Sequence, residues 1–163
     1  MNDVSPEPAA TYLQLRSRIL SLDPAEVGLA PTTLAPHVWG VLMETGYAVG
    51  TATLVSLSDG TTSLYYSTGG GMLGSGEYTP VAEASKALVT QAEKYLQQMS
   101  STNKFPLPEL GQVRFILLTY SGLFAAEASE KTLISMKHPF SLLYTLGHET
   151  LAQLRLLAEK KRK

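Results

Sequence analysis

The chain has 163 residues, 44% of them hydrophobic and 17% charged, with a formal net charge of −1. That is enough for one domain with its own core, and too balanced a charge for the basic footprint of a nucleic-acid binder. It has no cysteine, which excludes disulfides, thiolate nucleophiles and Cys-ligated zinc.

Residues 1–8 are polar and proline-bearing, a loose lead-in without the basic start and apolar run of a signal peptide. From Ala9 to Leu22, Tyr12, Leu15, Ile19 and Leu22 recur at helical spacing, with Arg16 and Arg18 set away from them. Asp23-Pro24 ends this helix, because the residue before proline is pushed out of the α region. Residues 23–36 hold Pro24, Gly28, Pro31 and Pro36 and read as a surface connector.

Three strands follow. His37 to Glu44 is rich in β-formers, and Gly46 marks a turn. Val49 to Leu57 is apolar on both faces, the mark of a strand inside a sheet. Asp59-Gly60 predicts a type I′ hairpin into Thr61–Thr68. Next comes a run of small residues, Ser67 to Gly76, with five of the 13 glycines. Thr79 and Pro80 then suit the cap and first turn of a helix. Its apolar face is Val81, Ala84, Leu88, Ala92, Tyr95, Leu96 and Met99.

Ser100 to Gly111, with Pro106 and Pro108, is a loop. Val113 to Tyr120 is the most apolar strand, and Ser121-Gly122 turns it into Leu123–Ala128. Lys131 to Lys137 alternates weakly and is assigned a short further strand. His138-Pro139 opens a last helix whose Leu143, Leu146, Leu151, Leu154 and Leu157 face inward. Lys160 to Lys163 is a basic tail.

The order α-βββ-α-ββ(β)-α predicts a single α/β (α+β) domain over residues 1–163. Its sheet is mainly antiparallel, of five or six strands, packed with three helices. In element order alone it is loosely similar to compact modules of the profilin, longin and roadblock kind. The strand counts on either side of the middle helix differ from the roadblock pattern. No apolar run reaches the ~18 residues that span a bilayer, so the chain is expected to be soluble and cytoplasmic.

Chemistry is sparse. Gly69, Gly71 and Gly74 satisfy G-x-G-x-x-G, the dinucleotide fingerprint. In that motif the third glycine lies in the first turn of the helix, whereas Pro80 forbids a helix start near Ser75. A looser ligand loop over residues 68–79 remains, with Gly69, Gly70, Gly71, Gly74, Ser75, Gly76 and Thr79 as its candidates. Against an anion there, Glu77 sits at the helix end and no Lys or Arg lies in the loop.

His148-Glu149 begins like H-E-x-x-H, but the fifth position is Ala152 and the second metal ligand is missing. Glu44, Asp59 and Glu77 sit near turns and read as solvated or turn-forming carboxylates. No G-x-S-x-G elbow or Walker loop occurs, so neither catalytic residues nor a cofactor are assigned. Trp39, Tyr65 and Tyr66 are interface candidates, since large rigid aromatics with polar tips favour contacts. The sequence therefore puts first a non-catalytic module that associates with a protein partner or itself, as a homodimer. The alternative is a small-molecule or phosphate-ligand protein, or an enzyme, built on the glycine-rich loop.

Overall fold

The computed structural model describes residues 7–162. Its elements are α1 (Ala10–Leu20), β1 (Val38–Tyr47), β2 (Gly50–Leu57), β3 (Thr62–Tyr66), β4 (Gly71–Met72), α2 (Thr79–Ala92), β5 (Ser100–Ser101), β6 (Gln112–Thr119), β7 (Gly122–Ser129), α3 (Glu130–Ile134) and α4 (Ser141–Lys161). One antiparallel sheet holds all seven strands, in the order β4-β3-β2-β1-β6-β7-β5. The α/β class and the antiparallel sheet agree with the sequence reading. The strand count is higher by two short edge strands, β4 and β5, and a fourth helix is present.

Side chains alternate across the strands, and each face meets its own helices. Leu42, Val55, Leu57, Tyr65, Ile116 and Leu118 pack beneath α1, on Tyr12 and Ile19. Val41, Met43, Leu54, Leu64, Phe115 and Leu117 face α2 and α4, through Val81, Leu88, Leu143 and Leu154. A register shift between Val38 and Gly40 lets Val38 share a face with Val41. Burying each of the larger side chains contributes up to roughly 1.5–3 kcal/mol, so these two cores set the layers.

Several local expectations are corrected. Gly46 lies within β1, and the turn is at Ala48-Val49. The Asp59-Gly60 turn is not type I′, because Asp59 keeps a negative φ while Gly60 has φ +94°. The Asp59 carboxylate accepts the Thr61 N–H at 2.9 Å, which holds that conformation. At the β6–β7 turn the two connecting residues are Tyr120 and Ser121. Residues 131–137 are α3 and a turn, not a strand, since a short alternating run does not fix its own period. The last helix opens at Ser141, not at His138-Pro139. Thr79 is the first helical residue of α2 rather than its cap; Tyr78 holds the cap position with no side-chain bond.

Glu44 is the largest revision. It is 0% exposed, in the middle of the sheet face beneath α1. Arg16 grips it with two hydrogen bonds, Nε to Oε2 at 2.7 Å and Nη2 to Oε1 at 2.8 Å. The Thr53 hydroxyl also donates to Glu44 Oε2 (2.8 Å), so the Tyr12 hydroxyl 2.8 Å from Thr53 Oγ1 must donate to it. Arg16 spends another N–H on the Phe105 carbonyl at 2.8 Å. Burial, then the Glu44 charge, push the Tyr12 phenol up to about 12.

The lead-in assigned to residues 1–8 falls mostly outside the described residues, as does Lys163 of the basic tail. Lys160 and Lys161 belong to α4. No helix among the described residues is long and apolar enough to cross a membrane.

Candidate functional site

The glycine-rich run is a hairpin tip followed by a path to α2. Gly69 donates its N–H to the Tyr66 carbonyl at 2.9 Å, and Tyr66 donates to the Gly70 carbonyl at 3.2 Å. A Cβ added at Gly69 or Gly70 would meet nothing within 4 Å. Gly71 differs. At φ +139° it runs so close to β3 that a Cβ would stand 1.9 Å from the Leu64 carbonyl oxygen. Gly74 turns left-handed (φ +63°) and gives its N–H to Ser63 Oγ at 3.0 Å. Ser75, Gly76 and Glu77 make a single 3-10 turn, Tyr78 is extended, and α2 starts only at Thr79.

Those residues therefore part company. Gly69 and Gly70 are exposed at the tip, whereas Gly71 enters the wall of a cleft of about 600 Å³. Gly74 and Ser75 line a smaller hollow of about 280 Å³ with Glu77, Tyr78, Leu157 and Lys161. The cation that the loop lacks in sequence is thus brought to it by α4. Lys160 Nζ lies 5.3 Å from the centre of the Tyr78 ring, a cation–π contact that orients the end of α4. Gly76 and Thr79 line neither hollow.

The larger cleft opens between α4 and the outer strands. Its floor comes from the cross-strand pairs Ala52–Tyr66 and Leu64–Met72, with Tyr47 at the end of β1. Its other wall is one stripe of α4: His148, Leu151, Ala152, Arg155 and Ala158, spaced three and four apart and so on one helix face. Small residues make the room. Ala52, Gly71, Ala152 and Ala158 stand where larger side chains would close the gap. Where α4 crosses the inner strands the packing is tight, because Gly147 rests on Met43.

Arg155 carries the one formal charge in the lining, and no carboxylate lines the cleft. Arg155 is exposed and has no ion pair or hydrogen bond among the described residues. The His148 ring packs against Tyr144 at a tilt of 49°, with centroids 4.3 Å apart. Its Nε2 is sealed from solvent and has no hydrogen-bond partner. Burial holds the imidazole below its ordinary value; the Glu130 carboxylate opposes this and Arg155 adds to it. Tyr144 donates its hydroxyl to Glu130 Oε2 at 2.8 Å. Burial and that bond raise the Tyr144 phenol, and burial with the Glu130 charge raises Tyr47. Both phenols stay protonated; the Tyr144 O–H is spent on Glu130, and Tyr47 lines the cleft as a neutral phenol.

Of the three aromatic interface candidates, Trp39 (1% exposed) and Tyr65 (8%) are core residues beneath α1. Tyr66 is 43% exposed and faces the cleft. The apolar strands β1, β2 and β6 lie inside the sheet, and both of its outer positions are two-residue strands. Among the described residues no group of three His, Asp or Glu side chains is placed to hold a metal ion. Sequence reading noted His148 only as half of a metal motif. The signal it passed over was the stripe His148, Ala152, Arg155 on a helix otherwise lined with leucine. No known protein family, curated protein or solved structure matches this chain.

Proposed function

We propose that this chain is a binding domain for a small organic molecule, received in the cleft between α4 and strands β2 to β4. The observation that carries the reading is the cleft itself: about 600 Å³ of mostly apolar wall with four polar side chains, Tyr47, Tyr66, His148 and Arg155. Ligand sites commonly enclose ~300–1,000 Å³ and combine apolar walls with a few placed polar groups. No nucleophile paired with a base lines it, so the reading is one of binding and not of catalysis. Gly71 contributes through its close approach to β3, and Gly69 and Gly70 shape the hairpin tip.

Association, the reading put first from sequence, rests on the absence of catalytic signatures, the balanced charge and apolar strands with possible free edges. The most apolar strands, β1, β2 and β6, are internal, and the free edges fall to β3 and β7, which the two-residue strands β4 and β5 cover only in part. The test is a thermal-shift screen of small organic molecules, followed by calorimetry of the hits on the wild type and on Ala152→Trp. The indole should fill the cleft and abolish binding while leaving the fold intact by circular dichroism. Hits that bind Ala152→Trp as well as the wild type would place the site elsewhere.

A further inference from the structure

We infer that the cleft selects a monocarboxylate: a ligand with one carboxylate group, held by Arg155 and His148, on an apolar alkyl or aryl body. This rests on the cleft being the binding site. The single ion of the lining is the Arg155 guanidinium. A planar guanidinium presents parallel N–H groups that match a carboxylate. An exposed guanidinium free of protein partners keeps those donors available to a ligand.

His148 sharpens the match. A charged ring would bury the Nε2 N–H without an acceptor, the costly case for a polar group. The ring is therefore neutral. Of the two neutral tautomers, the one protonated at Nδ1 leaves only a lone pair sealed at Nε2, and buried orphan N–H groups are the rarer kind. Nδ1 is not among the sealed atoms and has no protein partner among the described residues. It then offers one N–H to the ligand, four residues before Ala152 and seven before Arg155 on the same helix face.

The polar set is one cation, one imidazole N–H and two phenols, against an apolar floor of Leu64 and Met72. It has one full positive charge and no lysine, so it balances a monoanion and leaves the second charge of a phosphate monoester unmatched. An ammonium would face Arg155; the Glu130 carboxylate acts on His148 and Tyr47 from outside the lining, and it already takes the Tyr144 hydroxyl.

Calorimetry at pH 7 on the full chain tests this with 2-naphthaleneacetate, its primary amide, 2-naphthyl phosphate and 2-naphthylethylamine, and with decanoate beside decanamide. A carboxylate should bind about tenfold or more tightly than its amide, the worth of a charge-assisted hydrogen bond. Arg155→Gln, at an exposed position, should bring the carboxylate down to the amide's affinity and leave the amide unchanged. Amides that bind as well as carboxylates, or a preference that survives Arg155→Gln, would overturn the monocarboxylate assignment and leave the cleft as the site. So would tighter binding of the phosphate or the amine. Failure of every probe to bind at millimolar concentration would overturn the assignment together with the cleft reading.

Discussion

Gly147 of α4 lies so close to Met43 of β1 that an added Cβ would stand 2.4 Å from the Met43 sulfur. Glycine in a helix interior costs about 1 kcal/mol relative to alanine, and here the missing side chain lets the helix backbone settle on the sheet. That contact fixes one end of α4. Beyond it the helix faces the outer strands across the small side chains that leave the cleft open. Gly147→Val should destabilise the fold by about 1–3 kcal/mol in urea unfolding, the usual range for overpacking. Paired with Met43→Ala, it should cost clearly less than the two single changes added together, because the shorter side chain vacates the contact. Strict additivity would mean that the approach is not what sets the helix.

The Arg16–Glu44 pair should behave as a buried pair whose halves need each other. Arg16→Met leaves the Glu44 carboxylate buried and uncompensated, and Glu44→Leu does the same to the guanidinium. Each single change is expected to cost about 3–5 kcal/mol. The double variant should lose much less than the sum, since no unpaired charge is left inside. A double-mutant cycle by chemical denaturation reads this coupling directly. A coupling near zero would show the pair to be solvated in solution.

His148 gives a pH dependence of known sign. Its ring is held below the ordinary value of 6.5, by burial first and by Arg155, with Glu130 acting against them and Tyr144 packed at a tilt against the ring. The unfolded chain therefore takes up a proton at a higher pH than the folded one. Stability from the neutral ring is present above 6.5 and is lost as pH falls through the folded value. Denaturation midpoints from pH 8 to pH 5 should show a steeper acid loss for the wild type than for His148→Phe. Parallel curves would mean that the ring is not sealed as described.

Much of the architecture is legible in the residues. The β1–β3 meander, the β6–β7 pair and the three long helices follow from periodicity and from turn residues at their ends. The two-residue strands β4 and β5 are not legible, because pairing that short leaves no pattern of its own. Arg16 was legible in principle. It stands four residues after Tyr12 and three before Ile19, which places it on the buried face of α1. Glu44 likewise follows Leu42 by two, on the same face of β1. Charge suggested the surface in both cases, and only the fold brings the two together across a sequence separation of 28.

The candidate site was less legible still. Glycine drew attention to residues 67–76, yet of those only Gly71 and Met72 reach the large cleft. The remaining walls come from β1, β2, β3 and α4, from Tyr47 to Ala158 along the chain. What marks the site locally is absence of bulk, at Ala52, Ala152 and Ala158. Small residues are common enough that this carries meaning only once the strands and α4 face one another.

The most direct measurement is a methyl-labelled NMR titration of the full chain with 2-naphthaleneacetate. If the cleft is the binding site, resonances of Leu64, Met72, Leu151 and Ala152 should move together and saturate, while those of Leu42, Leu57 and Leu118 beneath α1 stay in place. Shifts centred beneath α1 or confined to Leu73 beside Gly74, or no saturable shift at all, would contradict it.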